Sequence, residues 1–220
     1  AVPLLAPDET LLVFRMVVAQ PSELFNGNTY IDILNHEAVE RFIEITHEAY
    51  LERFGATFGS VIPGIFCDEP APPTRVLYDE KAGGYSAPWT DRLPAIFEEL
   101  YGYDLIPHLP ELFFDVDGEP ITPARRDYHD CVTFLFADVF ARQISEWCEA
   151  HNLIHIGHVL LEESLAVQTY TAGSCMRFYE TLQAPGVDLL TEHWRPQTNG
   201  KQVSSVAHQF GREWRLTETY

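Results

Sequence analysis

The sequence predicts an α/β fold built on a parallel sheet, because stretches typical of strands alternate with stretches typical of helices. One apolar run, residues 61–67, ends directly in Asp68, Glu69 and Pro70. Helical patterns of ten residues or more separate the later strand candidates, as the crossover between parallel strands requires. Acidic residues recur where these strands end, and in a parallel barrel all such ends point to one face.

Six segments are predicted as strands because they are short and apolar, with many β-branched residues. Pro185-Gly186 is predicted to form a turn before the fifth of them. The strand candidates are residues 11–19, 29–34, 61–67, 153–158, 187–190 and 214–218.

Helices are predicted where apolar residues recur at three- and four-residue spacing. Capping residues mark their ends: Asn35 and Gly55 bound the first helix, and Thr90 and Gly102 bound the second. Residues 103–124 contain four prolines and are predicted to be irregular. The helix candidates are residues 36–54, 91–101, 126–151 and 204–210.

Composition limits the class of protein and of partner. The 220 residues are 46% hydrophobic, which is enough for one domain with a substantial core, and 33 Asp and Glu against 14 Lys and Arg give a net charge of −19. This charge argues against a nucleic-acid partner and is compatible with a sugar or a divalent cation. No apolar stretch is long enough for a membrane span, so we expect a soluble protein, whether in the bacterial cytoplasm, in the periplasm or secreted. Four cysteines without a CxxC pair are expected to be free thiols.

The length predicts an incomplete barrel. A complete parallel (β/α)8 TIM-type barrel takes about 250 residues, whereas this chain offers five or six strand candidates in 220. We therefore expect residues 1–220 to form a single catalytic barrel domain that is a fragment of a larger multidomain chain. An open doubly wound sheet is the alternative, although no glycine-rich phosphate loop supports a nucleotide site.

The strand-end acids predict a glycosidase, because two carboxyl groups across a sugar ring can supply an acid and either a base or a nucleophile. The glutamates at four strand ends are Glu69, Glu162 or Glu163, Glu192 and Glu218. The catalytic candidates are Glu69, Glu163 and Glu218; the substrate-binding candidates are Asp68, His158, His193, Trp194 and Tyr220. Glu218 and Glu163 are the candidate partners of Glu69; Glu192 could serve instead or, with Asp68, be a ligand to Ca²⁺.

Glu69 is the best candidate for the general acid, with a pKa raised by neighbouring carboxylates or by burial. Pro70 is expected to hold Glu69 in an extended backbone conformation. If the Glu69 strand is numbered n, the Glu218 strand is n+3, with the His158 and Asp188 strands between them. This spacing resembles the clan A glycoside hydrolases, which implies a retaining mechanism, with Asp68 in place of the asparagine of the Asn-Glu-Pro motif.

Seven short motifs lie along most of the chain: Tyr30-Ile31-Asp32-Ile33-Leu34, Thr46-His47-Glu48-Ala49-Tyr50, Phe58-Gly59, Gly64-Ile65-Phe66-Cys67-Asp68-Glu69-Pro70, Gly157-His158, Pro185-Gly186-Val187-Asp188 and Ser204-Ser205-Val206-Ala207-His208. Together they resemble the catalytic barrel of proteins related to glycoside hydrolase family 106, the α-L-rhamnosidases, more closely than clan A in general. This resemblance implies an inverting mechanism assisted by a bound calcium. Inversion requires carboxyl groups about 6.5–9.5 Å apart, whereas retention requires about 5–5.5 Å. The alternative function is a barrel that binds carbohydrate or calcium without turnover.

Overall fold

A computed structural model describes residue 6 and residues 8–73, 77–79, 84–189 and 197–219 of the chain. Its centre is a four-stranded sheet in which all neighbouring strands are parallel. The strands lie in the order β1 (Gly64–Cys67), β4 (Ile154–Gly157), β5 (Ala184–Leu189) and β6 (Leu216–Thr219). A separate antiparallel pair consists of β2 (Leu77–Asp79) and β3 (Gly84–Ser86). The α/β class is confirmed, as is the order that places the His158 and Asp188 strands between those of Glu69 and Glu218.

Helices connect the strands of the sheet. A π-helical segment, Phe136–Arg142, continues α4 directly into α5. Within the described residues, no helix combines the length and the hydropathy that a membrane span requires. The α-helices are α1 (His36–Phe54), α2 (Leu93–Tyr101), α3 (Leu109–Phe113), α4 (Pro123–Leu135), α5 (Gln143–Ala150), α6 (Leu165–Tyr170), α7 (Cys175–Thr181) and α8 (Gln197–Gln209).

Capping residues explain where the longer helices begin and end. The Asn35 side chain accepts a hydrogen bond from the Ala38 amide at the start of α1, as predicted. Gly102 ends α2 in the left-handed conformation, at φ 79°. Gly55 ends α1 in a right-handed conformation instead and leads into a short 3₁₀ turn. Thr90 is not the cap of α2, because that helix begins three residues later.

The helices pack against one face of the sheet, and among the described residues part of the other face is open at β1. On the helical face His155 is fully buried, and its Nδ1 lies 2.8 Å from the Ser145 hydroxyl of α5. On the open face Phe66 is 46% exposed, although its neighbours on the strand pack against the core. The four cysteines are free thiols, as predicted, and three of them are buried in the helical layer.

Two predicted strands are wrong. Residues 11–19 and 29–34 form neither helix nor sheet. Between these two segments, the described residues form one isolated antiparallel bridge, from Ser22 to Asn28. An apolar pattern becomes a strand only where a neighbour pairs with its backbone. Here the apolar side chains at 11–18 are exposed, so the pattern has no such partner among the described residues.

Three smaller differences concern local turns and helices. Pro185 and Gly186 lie inside β5 and do not form a turn before it. Gly186 is needed for close strand packing, because a Cβ there would lie 3.0 Å from the Leu216 Cβ and 3.1 Å from the Gly157 carbonyl oxygen. The region 103–124 is partly helical, because it contains α3 and a 3₁₀ turn, and α6 and α7 were not predicted.

Candidate functional site

Four acidic side chains and one histidine meet at the carboxyl edge of the sheet. The strand register explains why. Strands β1 and β4 end level with each other, with Cys67 opposite Gly157, and between β5 and β6 Asp188 lies opposite Glu218. Polar residues at these positions therefore face a common space. They are Asp68 and Glu69 after β1, His158 after β4, Asp188 in β5 and Glu218 in β6.

His158 is the centre of this cluster and is fully buried. Its Nε2 lies 3.0 Å from Glu218 Oε2 and 3.6 Å from Asp68 Oδ1. The ring N–H at this position donates to the Glu218 carboxylate oxygen in the tautomer protonated at Nε2. The Phe66 ring lies beside the imidazole, with 5.5 Å between the ring centroids. His158 thus fixes the orientation of Glu218.

The acids form two groupings that share His158. In one, Asp68, His158 and Glu218 bring their polar atoms within 4.8 Å of one another; in the other, Glu69, His158 and Asp188 do the same. Asp188 Oδ1 is buried and has no hydrogen-bond partner among the described residues. A buried carboxylate oxygen without a donor is costly, so this atom is available to a proton, a cation or a ligand.

Burial and the crowding of negative charge raise the pKa values of Glu69 and Asp188. Partial desolvation raises the pKa of Glu69, and the carboxylates of Asp68, Asp188 and Glu218 raise it further, against the opposing effect of His158. Burial likewise raises the pKa of Asp188, and neighbouring carboxylates add to this. A carboxyl group that keeps its proton nearer to neutral pH is suited to donate it.

The backbone of Glu69 differs from the prediction. Its φ is 46°, in the left-handed region, and so the extended conformation expected before Pro70 is wrong. A non-glycine residue in this region carries strain of about 1–3 kcal/mol, and such residues concentrate at functional sites. The strained corner turns the Glu69 carboxylate toward His158 and Asp188.

The two glutamates after β4 lie in different environments. Glu163 is exposed, and its charge adds to the raised pKa of Asp188. Glu162 is only 3% exposed, and burial raises its pKa to about 7. Its Oε1 accepts a hydrogen bond of 2.6 Å from the Asp188 amide, and its Oε2 accepts one from the Tyr179 hydroxyl. Glu162 therefore supports the site through its hydrogen bond with the Asp188 amide, a role that sequence reasoning missed.

Asp188 was also missed as a site residue. Its position was known as part of a strand candidate, but no role was assigned to it. The available signal was an ionisable residue inside an apolar strand of a parallel sheet, where both faces are usually apolar. The remaining candidates, Glu192, His193, Trp194 and Tyr220, lie outside the described residues.

The cluster contains atoms that could hold a divalent cation. Its carboxylates are the hard oxygen ligands that Ca²⁺ prefers, and the unpartnered Asp188 Oδ1 fits such a role. The imidazole of His158 is a poorer ligand for Ca²⁺, and its Nε2 is already bonded to Glu218. The residues present therefore fit a calcium held by carboxylates, with His158 orienting one of them.

Comparison with known proteins shows which family and which solved structure the chain is similar to. A family model described as alpha-L-rhamnosidase, of glycoside hydrolase family 106, matches residues 20–220. A solved structure, that of a rhamnosidase from Novosphingobium sp. PP1Y, is similar over 87% of this chain, with a TM-score of 0.67 and 22% sequence identity. The match spans 17% of the Novosphingobium chain, and at this identity it indicates a shared fold. No curated protein matches the chain.

Proposed function

Because this chain belongs to glycoside hydrolase family 106, whose model it matches over residues 20–220, we propose that it hydrolyses α-L-rhamnosidic bonds with the carboxylates at the carboxyl edge of its sheet. The observation that carries the proposal is the placement of Glu69, with a raised pKa, beside a second acid around the buried His158. We also propose that the four parallel strands are part of a (β/α)8 barrel, whose active sites lie at this edge.

In the proposed reaction Glu69 is the general acid and Glu218 the general base. Glu218 takes a proton from water, and the water oxygen forms a bond to the anomeric carbon of the sugar. The bond from that carbon to the glycosidic oxygen breaks, and Glu69 gives its proton to the leaving oxygen. The hydrogen bond from His158 keeps the Glu218 carboxylate oriented. Partial burial, together with the nearby carboxylates, raises the pKa of Glu69 and so favours a proton on it.

Calcium is the cofactor that we propose, with Asp68 and Asp188 as its ligands and Glu218 left free to act as the base. When bound, the cation would supply positive charge that orients sugar hydroxyls and offsets repulsion among the acids. The support for it is the donor set itself, in particular the unpartnered buried oxygen of Asp188. His158 remains the orienting residue and not a ligand.

The test is an assay of the protein that carries this chain on 4-nitrophenyl α-L-rhamnopyranoside, with other aryl glycosides for comparison. Glu69→Gln should lower kcat by at least about 100-fold, since a general acid contributes about 10²- to 10⁴-fold. The matched control is Glu40→Gln on the exposed face of α1, which should leave kcat unchanged. If Glu69→Gln keeps its kcat, Glu69 is not the acid; sugar binding without turnover in the wild type would favour the non-catalytic alternative.

A further inference from the structure

The sheet has a gap directly below the carboxylate cluster. Strand β4 ends at Gly157, which is the last residue to pair with β5. Strand β5 continues for four more residues, to Leu189, and along that stretch β6 pairs with its other side. The β5 backbone next to the site thus lacks a neighbouring strand on the β4 side, within the part of the chain that the structure describes.

Glu162 fills this gap with its side chain. After His158 the chain reverses at Leu161, which has a left-handed φ of 56°, and the reversal buries Glu162 beneath the site. There its Oε1 accepts the hydrogen bond from the Asp188 amide at 2.6 Å. A backbone N–H that would otherwise bond to a strand is satisfied by a carboxylate, which makes a stronger hydrogen bond than a neutral carbonyl.

Neighbouring helices hold Glu162 in this position. The Tyr179 hydroxyl of α7 donates to its second carboxylate oxygen. The Gln168 side-chain amide of α6 donates to its backbone carbonyl at 2.8 Å, and Gln168 in turn exchanges two hydrogen bonds with Gln202 of α8. A residue held by α7 through its side chain and by α6 through its backbone can transmit a defined position to the atom it binds.

We propose that Glu162 is a positioning residue that replaces β4 as the acceptor for the Asp188 amide and thereby holds the Asp188 carboxylate beside Glu69. The inference rests on the proposed function for its effect on catalysis, because Asp188 lies in one cluster with Glu69 and His158. Glu162 itself lies beneath the cluster and has no role in touching the sugar.

The experiment compares three variants of the protein that carries this chain. Glu162→Ala removes the acceptor and should lower kcat on 4-nitrophenyl α-L-rhamnopyranoside by about 10- to 100-fold, the usual effect of losing an orienting partner. Glu162→Gln keeps an oxygen for the Asp188 amide and should retain at least about one third of kcat. Ser145→Ala is the control, because it loses one buried hydrogen bond, to His155, at the opposite end of the sheet.

The control separates positioning from a general loss of stability. Ser145→Ala and Glu162→Ala should both lower Tm, but only Glu162→Ala should lower kcat. The proposal is wrong if both variants lose kcat in proportion to Tm, if Glu162→Gln is as impaired as Glu162→Ala, or if Glu162→Ala keeps its kcat.

A crystal structure of Glu162→Ala distinguishes this proposal from the proposed function. We expect the Asp188 carboxylate to move by about 1 Å or more, a displacement that can cost about 100-fold in rate. If the wild type does not hydrolyse rhamnosides, the proposed function fails, and this displacement alone decides whether Glu162 positions Asp188. An unmoved Asp188 refutes the positioning role whatever the activity.

Discussion

Replacing Glu162 with glutamine should change how the stability of the fold depends on pH. Burial raises the pKa of Glu162 from 4.5 to about 7, although the hydrogen bonds from Tyr179 and the Asp188 amide lower it. A carboxyl group with a higher pKa in the folded than in the unfolded state prefers to keep its proton on folding. Its contribution to stability is therefore complete below pH 4.5 and is lost as the pH rises through 7.

The size of this effect follows from the two pKa values. The difference between 4.5 and about 7, at about 1.4 kcal/mol for each pKa unit, corresponds to about 3 kcal/mol in total. Roughly 2.5 kcal/mol of this is lost between pH 5 and pH 8. Glutamine has no proton to lose in this range. Relative to the wild type, Glu162→Gln should thus gain about 2.5 kcal/mol of unfolding free energy from pH 5 to pH 8.

Urea unfolding of both proteins at pH 5, 6, 7 and 8 measures this difference, because contributions from other titrating groups cancel between them. Glu40→Gln, an exposed change on α1, should show a pH-independent difference from the wild type. Tyr179→Phe should increase the pH dependence, since the Tyr179 hydroxyl lowers the Glu162 pKa. A free-energy difference between Glu162→Gln and the wild type that stays constant over this range would refute the reasoning.

Three further predictions concern other parts of the molecule. Burial lowers the pKa of His47 from 6.5 to about 4 and that of His155 to about 3. A histidine with a lowered pKa contributes its full stability above pH 6.5 and loses it as the pH falls through the folded-state pKa. The difference in unfolding free energy between wild type and His47→Gln should therefore shrink by about 3 kcal/mol from pH 7 to pH 4, and a constant difference would contradict this. Gly157→Ala should destabilise the fold by about 3 kcal/mol in urea unfolding, because its Cβ would lie 2.3 Å from the Cys67 carbonyl oxygen. Gly200→Ala, which has open space around it in α8, should instead stabilise the fold by about 1 kcal/mol. Equal effects of the two substitutions would disprove the steric argument. Calcium at about 100 times its Kd should raise the unfolding free energy by about 2.7 kcal/mol, Mg²⁺ should not substitute, and an unchanged Tm after chelation and after calcium addition would exclude the metal.

The parts of the fold that depend on neighbouring residues could be predicted from the sequence. Helix α1 begins and ends where predicted, because Asn35 caps it through a side-chain bond three residues away. Strand 11–19 was wrong because pairing needs a partner that is distant in the chain, and an apolar pattern carries no information about that partner. Helices α6 and α7 are short, with six and seven residues, so few turns were available to establish a helical period.

The site was predictable in outline and not in its supporting contacts. The strand-end rule brought Glu69, His158 and Glu218 to one edge, where the structure has them within a shared cluster. It could not choose between Glu162 and Glu163, because adjacent residues point in different directions and one residue of uncertainty in the strand end exchanges their roles. The buried position of Glu162 depends on the reversal at Leu161, which no local pattern indicates.

The electrostatics of this edge argue that the acids are there for chemistry and not for folding. Burial and neighbouring negative charges raise the pKa values of Glu69, Glu162 and Asp188, so all three acids destabilise the folded chain when they ionise. An acid that served only stability would show the opposite shift, through pairing with a cation. Carboxylates that oppose folding, gathered around one buried histidine, are suited to proton transfer, and a bound cation would relieve the same repulsion. The stability that the fold gives up at this edge therefore supports the proposal that the active site lies there.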